Sequence, residues 1–173
     1  MAEQYSYSLK FPKDRIAVLI GHRGKVKKDL EESTHATLHI DSQEGDVTLT
    51  GTDTLGLFIA REIIRAISRG FNPEIAKLLL KGDYVFEIIT LTDYAGKAKN
   101  HLERLKGRVI GSEGKSRKVI ENLTDTYITV YGKTIGIIGS AANVNVARKA
   151  IESLLAGSMH STVYRWLEKS DES

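Results

Sequence analysis

The chain has 173 residues, 41% of them hydrophobic, no cysteine, and 25 Lys and Arg against 22 Asp and Glu, giving a net charge of +3 and a pI of about 9.0. Without cysteine there are no disulfides, thiolate metal sites or cysteine nucleophiles, and no run approaches the roughly 20 apolar residues of a membrane-spanning helix. The length suits one large domain or two small ones, and the opening Met-Ala-Glu-Gln-Tyr does not read as a secretory signal, so a cytoplasmic protein is expected.

Residues 5–11 alternate and predict a strand, which Pro12 ends. Asp14 is placed to cap a short helix over 15–20. A glycine loop follows, then a helix over 25–33 with Val26 and Leu30 inward. Strands are expected at 36–41 and 47–50, with Leu38 and Ile40, then Val47 and Leu49, facing a core. A long helix over 52–69 carries Leu55, Ile59, Ile63 and Ile67 on one face and stops at Gly70. Asn72-Pro73 is a cap for a further short helix reaching residue 80. Lys81-Gly82-Asp83 marks a boundary, dividing the chain into 1–81 and 82–173.

The second part repeats the order. A strand is expected at 84–90 and a helix over 97–110, interrupted near Gly107. A second glycine loop, a helix over 115–123, strands at 127–130 and 134–138 joined by Tyr131-Gly132-Lys133, and a helix over 141–156 stopped by Gly157 follow. A short helix near 163–168 closes the pattern, with 170–173 frayed.

The loops carry the chemistry. Arg108-Val109-Ile110-Gly111-Ser112-Glu113-Gly114-Lys115-Ser116-Arg117-Lys118 runs an apolar pair into Gly-x-x-Gly and then into a basic helix start. Val18-Leu19-Ile20-Gly21-His22-Arg23-Gly24-Lys25-Val26-Lys27-Lys28 does the same 90 positions earlier. At that offset Ile20, Gly21, Gly24, Lys25, Lys28, Glu31 and Thr34 recur as Ile110, Gly111, Gly114, Lys115, Lys118, Glu121 and Thr124, which argues for an internal duplication. Two glycines let the backbone approach a flat or charged partner, and the helix start points free N–H groups and the positive dipole end into the same turn. Eight Lys and Arg lie in 97–118 and seven in 10–28, so the positive charge gathers at both loops. A polyanion backbone is the expected partner.

Beside the loops, Val109, Ile110, Val119 and Ile128, with Leu19, Ile20, Val26 and Leu38 in the first copy, are either walls of a base-binding groove or ordinary core. Tyr131 is either a stacking platform or a plain surface residue. His35 and His39 fall across a turn and a strand, so their spacing carries no metal signal. The acids Glu31-Glu32 and Asp41, Glu44, Asp46 have no companion histidines and read as surface. Gly-x-x-x-x-Gly-Lys-Ser/Thr is absent, which argues against a nucleotide hydrolase and for a non-enzyme with no cofactor.

Each half therefore reads strand, helix, glycine loop, helix, strand, strand, helix, plus an extra C-terminal helix. This α+β order matches the type I (eukaryotic-type) KH module: two tandem domains, each a three-stranded sheet covered by helices, with a loop that clamps about four nucleotides. Ile120-Glu121-Asn122-Leu123-Thr124, Thr126-Tyr127-Ile128, Ile138-Gly139-Ser140, Asn143, Ala147-Arg148, Ala150-Ile151, Leu155, Gly157 and Val163-Tyr164 resemble the second KH repeat of the partner-of-Nob (Dim) family, in its archaeal form. The resemblance implies a factor of small ribosomal subunit maturation that binds single-stranded rRNA at the 3′ end, near the final cleavage site. It implies the Nob-type endonuclease and translation initiation factor two (alpha subunit) as partners. RNA contacts would fall on Arg108 to Lys118 and Ile128. Eukaryotic members have a degraded first loop; here Gly21, His22, Arg23, Gly24, Lys25, Lys27 and Lys28 are intact, so the first repeat is open to RNA or to a partner protein. Glu113 either weakens phosphate binding or accepts a hydrogen bond from a base or sugar. The alternative function is a mainly protein-binding adaptor, with 71–80 and 157–168 as its surfaces.

Overall fold

The computed structural model describes residues 3–96 and 98–171. Lys97, expected to begin a helix, lies outside them, as do 172 and 173 of the expected frayed end. The chain divides into two compact units, Met1–Leu80 and Lys81–Ser173.

In the first unit, β1 (Tyr5–Lys10), β2 (Thr37–Asp41) and β3 (Asp46–Gly51) form an antiparallel sheet in the order β1-β3-β2. Helices α1 (Ile16–Ile20), α2 (Lys25–Thr34), α3 (Thr54–Ser68) and α4 (Pro73–Ala76) complete it. Val47 and Leu49 on the central strand are fully buried, as the alternation predicts, together with Leu19, Leu30, Leu38 and Ile63. Asn72 caps α4, its Oδ1 accepting from the Ile75 N–H at 3.0 Å.

Two expectations fail here. Asp14 does not cap α1: a 3-10 turn over Lys13–Arg15 comes first, Arg15 holds the N-cap position, and no side chain caps it. Leu55 is not on the inner face of α3 but 66% exposed. The buried stripe is instead Leu57, Ala60, Ile63, Ile64 and Ile67. The phase is set by Gly56, where a Cβ would lie 2.1 Å from the Thr34 carbonyl oxygen, so only glycine admits α3 this close to the end of α2.

The second unit has β4 (Tyr84–Thr90), β5 (Tyr127–Tyr131) and β6 (Thr134–Ser140) in the order β4-β6-β5. Its helices are α5 (Thr92–Ala95), α6 (Lys99–Ile110), α7 (Lys115–Thr124), α8 (Ala141–Leu155) and α9 (His160–Asp171). The core joins Ile135 and Ile137 of the central strand to Leu105 and Val109 of α6, Ile120 of α7, Ile151 and Leu154 of α8, and Val163 and Leu167 of α9. The last helix is longer than expected, and Ser170 and Asp171 belong to it, with Ser170 Oγ donating to the Trp166 carbonyl. The expected interruption at Gly107 does not occur: α6 runs through it, because nothing there asks the chain to bend and the position is open to solvent.

Each unit ties the segment leading into its glycine loop to the end of its long helix with one arginine. Arg15 donates through Nε to the Ile67 carbonyl at 3.0 Å and through Nη2 to the Phe71 carbonyl at 2.7 Å. Arg108 donates through Nε to the Leu154 carbonyl at 2.9 Å and through Nη2 to the Ser158 carbonyl. These carbonyls lie at or beyond a helix C-terminus, where the dipole favours a cation; Ile67 and Leu154 also accept the N–H groups of Gly70 and Gly157 at 3.2 Å.

Two outcomes follow. Gly107→Ala should raise the stability of the second unit by about 0.5–1 kcal/mol, since a Cβ meets nothing there and alanine favours the helix; a urea titration followed by circular dichroism measures it. Arg108→Ala should lower stability by about 1–2 kcal/mol, because the Ser158 carbonyl loses its donor while Leu154 keeps the Gly157 N–H, and Arg108→Lys should recover only part of that, because a single ammonium lacks the planar fork.

Candidate nucleic-acid interface

The two glycine loops have the same backbone to within a few degrees. Gly21 (φ 76°, ψ 176°), Arg23 (53°, 32°) and Gly24 (74°, 14°) are matched by Gly111 (75°, 175°), Glu113 (55°, 29°) and Gly114 (75°, 13°). In each, the first glycine N–H returns to the preceding helix, Gly21 to Ala17 at 2.9 Å and Gly111 to Gly107 at 2.8 Å, and the second closes a turn on the first at 3.2 Å. The first glycine is required by contact as well as by φ. A Cβ at Gly21 would meet Val26 Cγ2 at 2.4 Å, and one at Gly111 would meet Ser116 Cβ at 2.7 Å. The middle residue has no such relief. Arg23 and Glu113 hold a left-handed conformation that costs a non-glycine residue about 1 kcal/mol or more, and strain of this kind gathers at functional sites.

This turn opens directly onto α2 and α7. Gly24 and Gly114 hold the N-cap positions, and no side chain caps either helix. The N–H groups of Lys25 and Lys115 close the turn onto the His22 and Ser112 carbonyls, and the N–H groups that follow them in the first turn lie uncapped at the positive end of a ten-residue dipole. Around them His22, Arg23, Lys25 and Lys28 are exposed at the first loop, and Ser112, Glu113, Lys115 and Lys118 at the second. The loops differ in charge at one geometrically identical place, Arg23 against Glu113.

The remaining expected contact residues do not all reach this surface. Arg108 is engaged with Leu154 and Ser158, and its carbonyl contacts His160 Nε2 at 2.8 Å, so in this structure it braces the segment before the loop. Val109 and Ile128, like Leu19 and Leu38, are at most 2% exposed and belong to the core. Ile110, Val119, Ile20 and Val26 are half-buried and border the loop, so the apolar wall is theirs. Ser116 lies 2% exposed beneath Gly111, and its Oγ has no hydrogen-bond partner among the described residues. The first loop has Val26 at the matching place.

Arg117 and Lys27 serve a second task. Glu121 Oε2 accepts from the Ile128 N–H at 2.8 Å while Arg117 Nη1 donates to the Ile128 carbonyl at 3.0 Å. Arg117 also lies 3.9 Å from Glu121. In the first unit Glu31 Oε2 accepts from the Leu38 N–H at 2.9 Å, with Lys27 at 3.7 Å from the same carboxylate. Ile128 and Leu38 sit on edge strands, so these side chains cover backbone groups that no neighbouring strand pairs. Glu31 was expected on the surface; it holds helix to strand. The one sequence signal for this role was its recurrence as Glu121.

The hairpin acids are likewise structural. Asp41 Oδ1 accepts from the N–H groups of Gln43 (3.0 Å) and Glu44 (3.1 Å), and Asp46 pairs with Lys10 at 2.8 Å. Among the described residues, no group of three or more His, Cys, Asp or Glu is arranged to hold a metal, and no helix is long and apolar enough to cross a membrane.

Comparison with known proteins places this geometry. Residues 85–172 match a eukaryotic-type KH domain (KH-domain type I), and residues 6–66 match a KH domain. The chain is 50% identical over 165 residues to the KH domain-containing protein MJ0443 of Methanocaldococcus jannaschii, covering 93% of this chain and 72% of that protein. It is 35% identical over 114 residues to the pre-rRNA-processing protein PNO1 of Coccidioides immitis, covering 65% of this chain and 45% of that one, so it spans less than half of that longer relative. A chain of the crystal structure of an a/eIF2alpha–aDim2p–rRNA complex from Pyrococcus horikoshii superposes with a TM-score of 0.91 at 43% identity, covering 98% of this chain and 95% of the other. Two consecutive KH units, a second unit of the PNO1 kind and a Dim2p likeness over nearly the whole length lead to one assignment: the chain belongs to the partner-of-Nob (Dim) family of KH ribosome-maturation proteins, in its archaeal form.

Proposed function

We propose that the chain binds single-stranded RNA at the 3′ end of small-subunit (pre-)rRNA, near the final cleavage site, through both glycine loops. The observation that carries this reading is the twofold occurrence of one strained loop backbone opening onto an uncapped, basic helix start. Outward N–H groups and Lys25, Lys28, Lys115 and Lys118 seat the sugar-phosphate backbone. The half-buried Ile20 and Val26, and Ile110 and Val119, offer apolar surface to the bases beside it. Support for rRNA as the ligand comes from the PNO1 relatives, which carry pre-rRNA processing in their name, and from the rRNA in the complex of Pyrococcus aDim2p.

In this reading the chain is a cytoplasmic, non-catalytic scaffold. It holds the RNA for a Nob-type endonuclease, and the same archaeal complex supports the alpha subunit of initiation factor two as a second partner. The two loops need not contribute equally, since Glu113 places a carboxylate where the first loop has Arg23.

Fluorescence anisotropy with an oligonucleotide of a small-subunit rRNA 3′ end tests this. His22→Asp/Arg23→Asp and Ser112→Asp/Glu113→Asp should each weaken binding at least about tenfold with unchanged circular dichroism, because Asp tolerates the left-handed position. For about four phosphates, the logarithm of affinity should fall with the logarithm of salt at a slope near −3, at roughly 0.7 per phosphate. Full affinity in both variants would remove the loops from the binding site. Glu113→Arg, which puts the first loop's residue into the same backbone, should tighten binding and steepen that slope by about 0.7.

A further inference from the structure

Away from the loops, the second unit has an open groove of about 650 Å³. Its sides are Tyr94 of α5 and Val163 and Trp166 of α9, and Lys149 and Glu152 of α8 lie along it with Ala156 just beyond that helix. Tyr94 and Trp166 are each 41% exposed, and Met159, at the approach to α9, is 69% exposed. The first unit treats its corresponding segment differently. There Phe71, Ala76 and Leu79, which follow α3 as α9 follows α8, are all buried. The matching segment of the first unit turns its one aromatic ring, Phe71, inward and exposes Leu80 at 37%, whereas the second unit leaves two aromatic rings flanking a trough.

The charges select an occupant. Glu152 is already engaged, its Oε1 accepting from Arg148 Nε at 2.7 Å, and Arg148 also pairs with Glu87 at 2.6 Å. Lys149 is exposed and has no ion-pair partner among the described residues. Partial burial, then the Glu152 carboxylate, holds the Tyr94 hydroxyl above its ordinary range, so it stays a neutral donor. The groove thus offers apolar walls, one phenol donor and one uncompensated cation. A polynucleotide track needs a row of cations; aromatic anchors around a mainly apolar trough are the signature of a protein contact.

We propose that this groove docks an apolar, acidic segment of a partner protein, its hydrophobic side chains between Tyr94 and Trp166 and a carboxylate on Lys149. The site is separate from the glycine loops, so protein and RNA can be held at once.

Trp166 is the chain's single tryptophan, which makes the groove its own reporter. The full chain is titrated with a helical peptide carrying Leu at i, i+3, i+4 and i+7 and Glu beside them, and with the same peptide carrying Lys for Glu. The acidic peptide should shift Trp166 emission to shorter wavelength, and the basic one should bind more weakly. Lys149→Glu should reverse that preference, by about threefold in each direction for an exposed pair. Tyr94→Ala should weaken the acidic peptide about tenfold or more, with affinity for rRNA oligonucleotide unchanged. The proposal is overturned if neither peptide moves the emission, if Lys149→Glu leaves the preference as it was, or if RNA shifts Trp166 and loses affinity in Tyr94→Ala. That last result would give the groove to RNA and leave the loop reading standing.

Discussion

The contact on which both units depend is the approach of a glycine Cα to the start of the following helix. At Gly111 the space for a Cβ is taken by Ser116, and at Gly21 by Val26. Because the two helices meet this closely, the connection has no room for a gradual bend. It turns through two left-handed residues and leaves the helix start without a side-chain cap. Removing the Cβ thus produces the strained turn, the free N–H groups and the exposed basic rim together. The core supplies the constraint that keeps Arg23 and Glu113 in a conformation they disfavour.

A second constraint runs from the same helices to the sheet. Glu121 and Arg117 take both backbone polar groups of Ile128, and Glu31 takes that of Leu38. The helix that follows the glycine loop is thereby fixed to an edge strand of the sheet. Edge strands with unpaired groups invite foreign strands, and here helix side chains occupy them. Arg117, which charge alone assigns to the loop's basic rim, is engaged in this scaffold.

Much of this was legible in the residues, and the failures have a common cause. The element order, the Asn72 cap and the inward Val47 and Leu49 follow from alternation and turn chemistry, which are local. The loops were visible because glycine at 21, 24, 111 and 114 leaves few other conformations, and because they occur twice. Leu55 was assigned inward because helical spacing fixes a face only to within a residue, and what settled it was Gly56 meeting a carbonyl from another helix. Arg108 and Glu31 looked free for the same reason: a charge near a basic loop looks available until its partner, the Leu154 carbonyl 46 residues on for Arg108 or the Leu38 N–H seven residues on for Glu31, is in view. Val109 shows that an apolar residue adjoining the loop in sequence can be wholly spent on the core.

The arginine braces set a limit on how far the duplication can be taken. The glycine loops stand 90 positions apart and the braced carbonyls 87, yet Arg15 and Arg108 stand 93 apart, six and three residues before their loops. The same tether is reached from neighbouring turns, across a five-residue helix in one unit and a twelve-residue helix in the other. A loop-and-helix segment moved from one repeat to the other would carry its carboxylate clasp with it intact. Its guanidinium would arrive one turn out of step with the acceptors waiting in the new host. The two halves are alike as binding surfaces and no longer exchangeable as parts, so each has been free to diverge in the charge it shows its partner.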